Sequence, residues 1–263
     1  MTLYFKKSLG QNFLIDKKII NLITEIGNIE HEDSILEVGP GDGSLTKRLL
    51  EKDPKNLTVI EKDKRLVDIL REKFDGKITI VNEDMMNFDY GDFRQKNLII
   101  FGNLPYNIST QILAKWIKMK NLDKFCKKFV LMFQKEVADR IIAKVNTKNY
   151  SRITILSNWK FYIKKLFDIN PECFSPRPKI KSSLLEFTPK KNIVHIKYPK
   201  NVEKITNIFF SQRRKMVKKN FMKLFKNFDE VSKLVNIRLT DRPQNIPIEK
   251  FLEIIKIFEN KSN

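Results

Sequence analysis

Asn103-Leu104-Pro105-Tyr106 puts a side-chain amide, a backbone carbonyl next to proline and an aromatic ring within four residues. The set suits methyl transfer to an amino group on an aromatic base. An adenine amino nitrogen is a poor nucleophile because its lone pair is delocalised into the ring. Two acceptors that hold its N–H groups draw it toward a tetrahedral, more nucleophilic geometry. The Asn103 side-chain oxygen supplies one acceptor and the Leu104 carbonyl another, in a turn stiffened by Pro105. Tyr106 offers a ring face for stacking, worth about 1–3 kcal/mol. No strong base is needed before transfer, since much of the gain comes from alignment with the methyl donor. A base in a helical stack must leave it to enter such a pocket. Taken alone, the tetrapeptide is better read as a structural turn; what precedes it decides.

Upstream, Glu37-Val38-Gly39-Pro40-Gly41-Asp42-Gly43 is a glycine-rich turn. Glycines let backbone approach a ligand, and a following helix N-terminus receives an anion. A nicotinamide or flavin site is also open to such a turn, although the spacing here is G-x-G-x-G and not the dinucleotide G-x-G-x-x-G. Glu61 follows Gly43 by 18 positions, where a carboxylate accepts from both hydroxyls of a ribose. Asp84 is placed to read the amino group of a cofactor adenine. Each carboxylate alone could be a helix N-cap; the ordered set points to S-adenosylmethionine bound by Gly39, Gly41, Glu61 and Asp84.

The elements that must position these residues alternate. Ser34 to Val38, Leu57 to Ile60, Lys77 to Val81, Leu98 to Gly102 and Phe129 to Gln134 read as strands, with helices to Leu50, over Lys64 to Phe74 and over Gln111 to Met119. This order predicts an α/β fold, a Rossmann-like parallel sheet with helices on both faces and ligands at the carboxyl ends of its strands. Ser182 to Phe187 reads as a final, antiparallel strand. A boundary at Pro189-Lys190 divides a catalytic domain, 1–189, from a small all-helical domain, 190–263. In the latter Ile205, Phe209, Met216, Leu224 and Phe225 share an apolar side, and Ile248 to Phe258 is amphipathic.

Composition narrows the classes. The formal charge is +20. From Lys190 onward 18 basic residues face 7 acidic ones, so the shorter C-terminal part carries the denser charge, as expected for a nucleic-acid partner. Cys126, Cys173, His31 and His195 fit no metal spacing, and no metal is expected. No run of about 18 to 20 apolar residues predicts a membrane span, and the first residues do not read as a secretory signal, which implies a cytoplasmic protein.

Lys6-Lys7-Ser8-Leu9-Gly10-Gln11-Asn12-Phe13-Leu14, Glu37 to Gly43, Gly102 to Thr110 and Phe174-Ser175-Pro176-Arg177-Pro178-Lys179 closely resemble the KsgA/RsmA family of small-subunit ribosomal RNA adenine dimethyltransferases. The resemblance runs from about Phe5 to Phe258, with the motifs in the family's order. It implies dimethylation at N6 of two adjacent adenines in a hairpin near the 3′ end of small-subunit rRNA, acting as a monomer on an immature 30S subunit. By position it implies that Asn12, Leu14, Gly39, Glu61, Asp84 and Asn103 contact S-adenosylmethionine, and that an arm around Gln11-Asn12 closes over it. It also implies that Phe174 is a second aromatic against the flipped adenine, opposite Tyr106.

Erythromycin-resistance methyltransferases, which modify large-subunit rRNA, share the core; Phe210 to Lys215 and Arg242 to Ile246 look more like the small-subunit pattern. DNA adenine methyltransferases carry a proline where Leu104 stands. A ribosome-assembly factor acting mainly by binding is the alternative from another class. The basic C-terminal region leads to one prediction: affinity for rRNA falls steeply as salt rises, because phosphate contacts release counterions. Filter binding from low to physiological salt measures this, and a flat response contradicts the role given to that region.

Overall fold

The computed structural model describes residues 11–90 and 97–261. The chain runs β1 (Phe13–Leu14), α1 (Lys17–Gly27), β2 (Ser34–Val38), α2 (Ser44–Leu50), β3 (Asn56–Glu61), α3 (Lys64–Phe74) and β4 (Thr79–Asn82). It continues through β5 (Leu98–Asn103), α4 (Ser109–Lys118), α5 (Leu122–Phe125), β6 (Cys126–Gln134), α6 (Lys135–Ile141), α7 (Arg152–Lys160) and β7 (Phe161–Ile169). β8 (Phe174–Ser175) and β9 (Ser182–Pro189) precede α8 (Pro199–Phe210), α9 (Lys218–Leu224), α10 (Phe228–Leu234) and α11 (Ile248–Lys261).

Strand β2 is buried along its whole length and β5 at all but its last residue, as strands covered on both faces must be. They lie at the centre of a seven-stranded sheet ordered β4-β3-β2-β5-β6-β9-β7. β2 pairs in parallel with β3 and β5, β3 with β4, and β5 with β6, whereas β9 runs antiparallel to β6. Helices start where side chains satisfy their free N–H groups. Asp16 accepts from Lys18 N and Ile19 N to open α1, and Asp63 accepts from Arg65 N to open α3. Among the described residues no helix is long and apolar enough to cross a membrane.

Contacts divide the chain into two units, Met1–Ala138 with Tyr162–Pro189, and Asp139–Phe161 with Lys190–Asn263. The division differs from the 1–189 and 190–263 boundary expected from the sequence, in that residues 139–161 cluster with the C-terminal segment. The reason lies in their contacts. Tyr150 is buried and its hydroxyl donates to the Ile246 carbonyl at 2.8 Å, and Asn146 N donates to Gln244 O at 2.9 Å. In this second unit Phe209 meets Phe221 and Phe251 edge-on, at 5.6 and 5.2 Å between ring centres. The Glu259 carboxylate accepts from Lys197 N, Tyr198 N and Asn201 Nδ2, each at 2.9 Å, and so ties α11 to the start of α8. Met216 departs from the expected apolar side. It lies between α8 and α9 and is 58% exposed, because the helical phase breaks after Phe210.

Glu37, within β2, is 2% exposed and accepts from Thr46 Oγ1 at 2.6 Å. Burial pushes its carboxyl up to about 8, so the folded protein prefers it neutral. A raised acid favours folding fully below the unfolded value of 4.5, and that contribution is lost as pH rises toward 8. Glu37→Gln therefore gains stability relative to the unsubstituted protein by on the order of 3 kcal/mol between pH 5 and pH 8. Paired urea titrations check this; a pH-independent difference contradicts it.

Candidate functional site

Register brings the polar strand ends to one edge of the sheet. Val38 stands level with Ile60 and with Gly102, and Glu61 with Asn82, so Gly39, Glu61 and Asn103 emerge side by side and Asp84 follows two residues beyond β4. They open into one cavity of about 230 Å³. Of the predicted residues, Asn12, Gly39, Gly41, Glu61, Asp84, Asn103, Leu104, Pro105 and Tyr106 all line it. Gly39 and Gly41 have φ of +73° and +62°, a region where other side chains are strained. A Cβ on Gly41 would lie 2.4 Å from the Phe13 ring, which shows how closely the segment from Gln11 packs on the glycine turn.

That segment is anchored at three points. Gln11 Nε2 donates to Asp63 Oδ2 at 3.1 Å, β1 pairs with β8, and Asn103 Nδ2 donates to the Asn12 carbonyl at 2.7 Å. The last bond fixes which way the Asn103 amide faces. With the nitrogen committed to Asn12, Oδ1 is the atom left to accept from a ligand.

The carboxylates differ in state. Glu61 is 9% exposed, and burial raises its pKa, opposed by N–H groups of Asp63, Gly41 and Lys62; the Asp63 bond is 2.8 Å. Asp84 is held low by the Lys62 ammonium at 2.8 Å and by Met86 N at 2.9 Å. An ionised acceptor at Asp84 and a carboxylate supported by three backbone donors at Glu61 suit, respectively, an amino group and a pair of hydroxyls. The cavity, its glycine turn and these acceptors together fit a nucleoside-bearing cofactor such as S-adenosylmethionine.

Two predicted residues do not line this cavity. Leu14 is buried and borders an adjoining cavity of about 20 Å³ that Gly39 and Asn103 also line. Phe174 pairs with Leu14 and is 2% exposed, in a core cluster with Met132 and Leu184, and it does not line the larger cavity. Sequence reasoning missed other residues. Ser182, buried at the start of β9, bonds the Tyr106 hydroxyl at 2.6 Å across 76 positions, with no local signal. Lys62, Met85 and Met86 also line the cavity, and their adjacency to Glu61 and Asp84 could have found them.

Comparison with known proteins agrees with this geometry. The family described as ribosomal RNA adenine dimethylase matches residues 2–260. The ribosomal RNA small subunit methyltransferase A of Pelagibacter ubique (strain HTCC1062) is 52% identical over 255 residues, covering 97% of each chain. Its counterpart in Ehrlichia canis (strain Jake) is 39% identical over 260 residues, covering 96% of each. A crystal structure of a dimethyladenosine transferase from Plasmodium falciparum superposes with a TM-score of 0.78 at 25% identity, over 95% of this chain and 98% of that one. The 23S rRNA methyltransferase ErmE, at 21% identity and a TM-score of 0.67 over 94% and 99%, shares the fold. A match over nearly the whole sequence, on a chain whose strand-end residues share one cavity, establishes that this protein belongs to the ribosomal RNA adenine dimethylase family.

Proposed function

We propose that this protein dimethylates N6 of two adjacent adenines in the 3′-terminal hairpin of small-subunit (16S) rRNA, using S-adenosylmethionine. The observation that carries the reading is the bond from Asn103 Nδ2 to the Asn12 carbonyl, at the junction of the cofactor cavity and the Asn103–Tyr106 turn. The cofactor, when bound, supplies an electrophilic methyl group. Glu61 would hold its ribose, Asp84 its adenine amino group, and Gly39 and Gly41 would let it approach the backbone. Leu14 would support the Asn12 arm from the core.

On the substrate side, Asn103 Oδ1 and the Leu104 carbonyl accept the two N–H groups of the target amine. Tyr106 stacks on the base, and its ring orientation is set by Ser182. Burial raises the Tyr106 pKa, so the phenol stays neutral and the ring serves as a stacking surface. Phe174 contacts adenine only if its buried ring is uncovered; in this conformation it packs the core. The protein acts in the cytoplasm, as a monomer, on an immature 30S subunit.

The resistance-type reading, methylation of 23S rRNA, shares this fold, so architecture alone does not separate the two. The names carried by relatives 52% and 39% identical favour the small subunit. A role mainly in binding is motivated by the basic second unit. Truncation at Lys190 is a poor test of it, because residues 139–161 would lose Ile246 and Gln244 as partners. Charge reversal at Arg214 and Lys215 is the cleaner comparison with Asn103→Ala.

Removing the acceptor in Asn103→Ala lowers the transfer rate at saturating cofactor by on the order of 10²-fold, with S-adenosylhomocysteine still bound. Label transfer and calorimetry on the same preparation measure both, and a variant with undiminished transfer overturns the assignment. Tyr106→Ala loses more activity than Tyr106→Phe, since the ring face does the stacking. Equal losses would instead assign the effect to the hydroxyl.

A further inference from the structure

Lys115 lies on α4, between buried Ile112, Leu113, Trp116 and Ile117, so its backbone is fixed by the core. Its side chain is half-buried and folds onto neighbouring backbone. The ammonium group donates to the Phe88 carbonyl at 2.6 Å, the Met86 carbonyl at 2.8 Å and, more weakly, the Met85 carbonyl at 3.5 Å. It also sits 5.1 Å from the centre of the Tyr90 ring. An ammonium has three donors, and all three are spent on one short stretch of backbone. Burial lowers its pKa, the cost of taking a charge from water, and charge-assisted bonds to three carbonyls offset that cost.

The stretch so held is the turn after β4. It begins at Asp84, whose carbonyl accepts from Asn87 N and Phe88 N, and it contributes Met85 and Met86 to the cavity wall. The same helix is bonded to the catalytic turn at its other end. Ser109 Oγ donates to Tyr106 O at 3.3 Å, and Ile108 N donates to Pro105 O at 3.1 Å. One rigid helix therefore sets both the acceptors for the target amine and the turn carrying Asp84.

We propose that Lys115 is a positioning residue for cofactor recognition, clamping the Asp84–Phe88 turn so that Asp84 meets the adenine end of the cofactor. The role rests on the S-adenosylmethionine reading above. A clamp on an adenine-reading turn affects discrimination between bases, whereas a merely structural lysine affects all ligands alike.

The test is calorimetric binding of S-adenosylhomocysteine and of S-inosylhomocysteine, in which the adenine amino group is replaced by a carbonyl oxygen. The unsubstituted protein prefers the adenine ligand. Lys115→Met lowers affinity for S-adenosylhomocysteine about tenfold, a loss of about 1.4 kcal/mol, and brings the preference close to unity. Lys115→Gln, which keeps two donors, falls between them and serves if the methionine variant fails to fold. Intact preference in the variants, or equal loss for both ligands, overturns the role of Lys115 alone. Failure of the unsubstituted protein to bind S-adenosylhomocysteine overturns the cofactor reading, and binding without preference overturns the role of Asp84 and with it that of Lys115.

Discussion

Parallel pairing of β2 with β3 on one side and β5 on the other is the constraint on which the site depends. Because the pairs are in register, the chain leaves three adjacent strands at one level, through Gly39, Glu61 and Asn103. A one-residue slip would turn every side chain of a strand to the opposite face. The burial of β2, β3 and β5, including Val38, Val59 and Ile99 at 0%, makes such a slip costly. The hydrophobic core thus fixes the positions of polar groups that contribute little to it.

Polar anchoring then refines what the sheet sets roughly. Asn103 could rotate its amide, but the Asn12 carbonyl takes the nitrogen. Asp63 is held by Arg65 and Gln11, its carboxyl lowered to about 2 chiefly by the Arg65 side chain, and it joins the N-terminal arm to the start of α3. Lys62 and Lys115 do the same on either side of Asp84, one through the carboxylate and the other through the backbone that follows it. Preorganised acceptors of this kind need no rearrangement during the reaction, which is where such sites gain most of their rate.

Much of this was legible in the sequence. Strand–helix alternation and strand-end carboxylates depend on local pattern, and nine of the named site residues line one cavity. What stayed hidden depends on distance along the chain. The Ser182–Tyr106 bond spans 76 positions, and the transfer of residues 139–161 to the second unit depends on Tyr150 reaching Ile246. β7 carries no clear alternation, since Lys164, Lys165 and Asp168 interrupt its apolar residues, and it lies at the sheet edge. Phe174 shows the opposite limit. Resemblance points to a role at the substrate, while the packing of β8 against β1 keeps its ring in the core.

The central claim is that these strand ends form one site for methyl transfer to adenine in small-subunit rRNA. Mapping the labelled nucleotide tests it most directly. The protein is incubated with labelled S-adenosylmethionine and both ribosomal subunits, and each rRNA is digested and its nucleosides identified. Two adjacent N6,N6-dimethyladenosines in the 3′-terminal hairpin of 16S rRNA are predicted. Unlabelled 16S rRNA beside labelled 23S rRNA would contradict it.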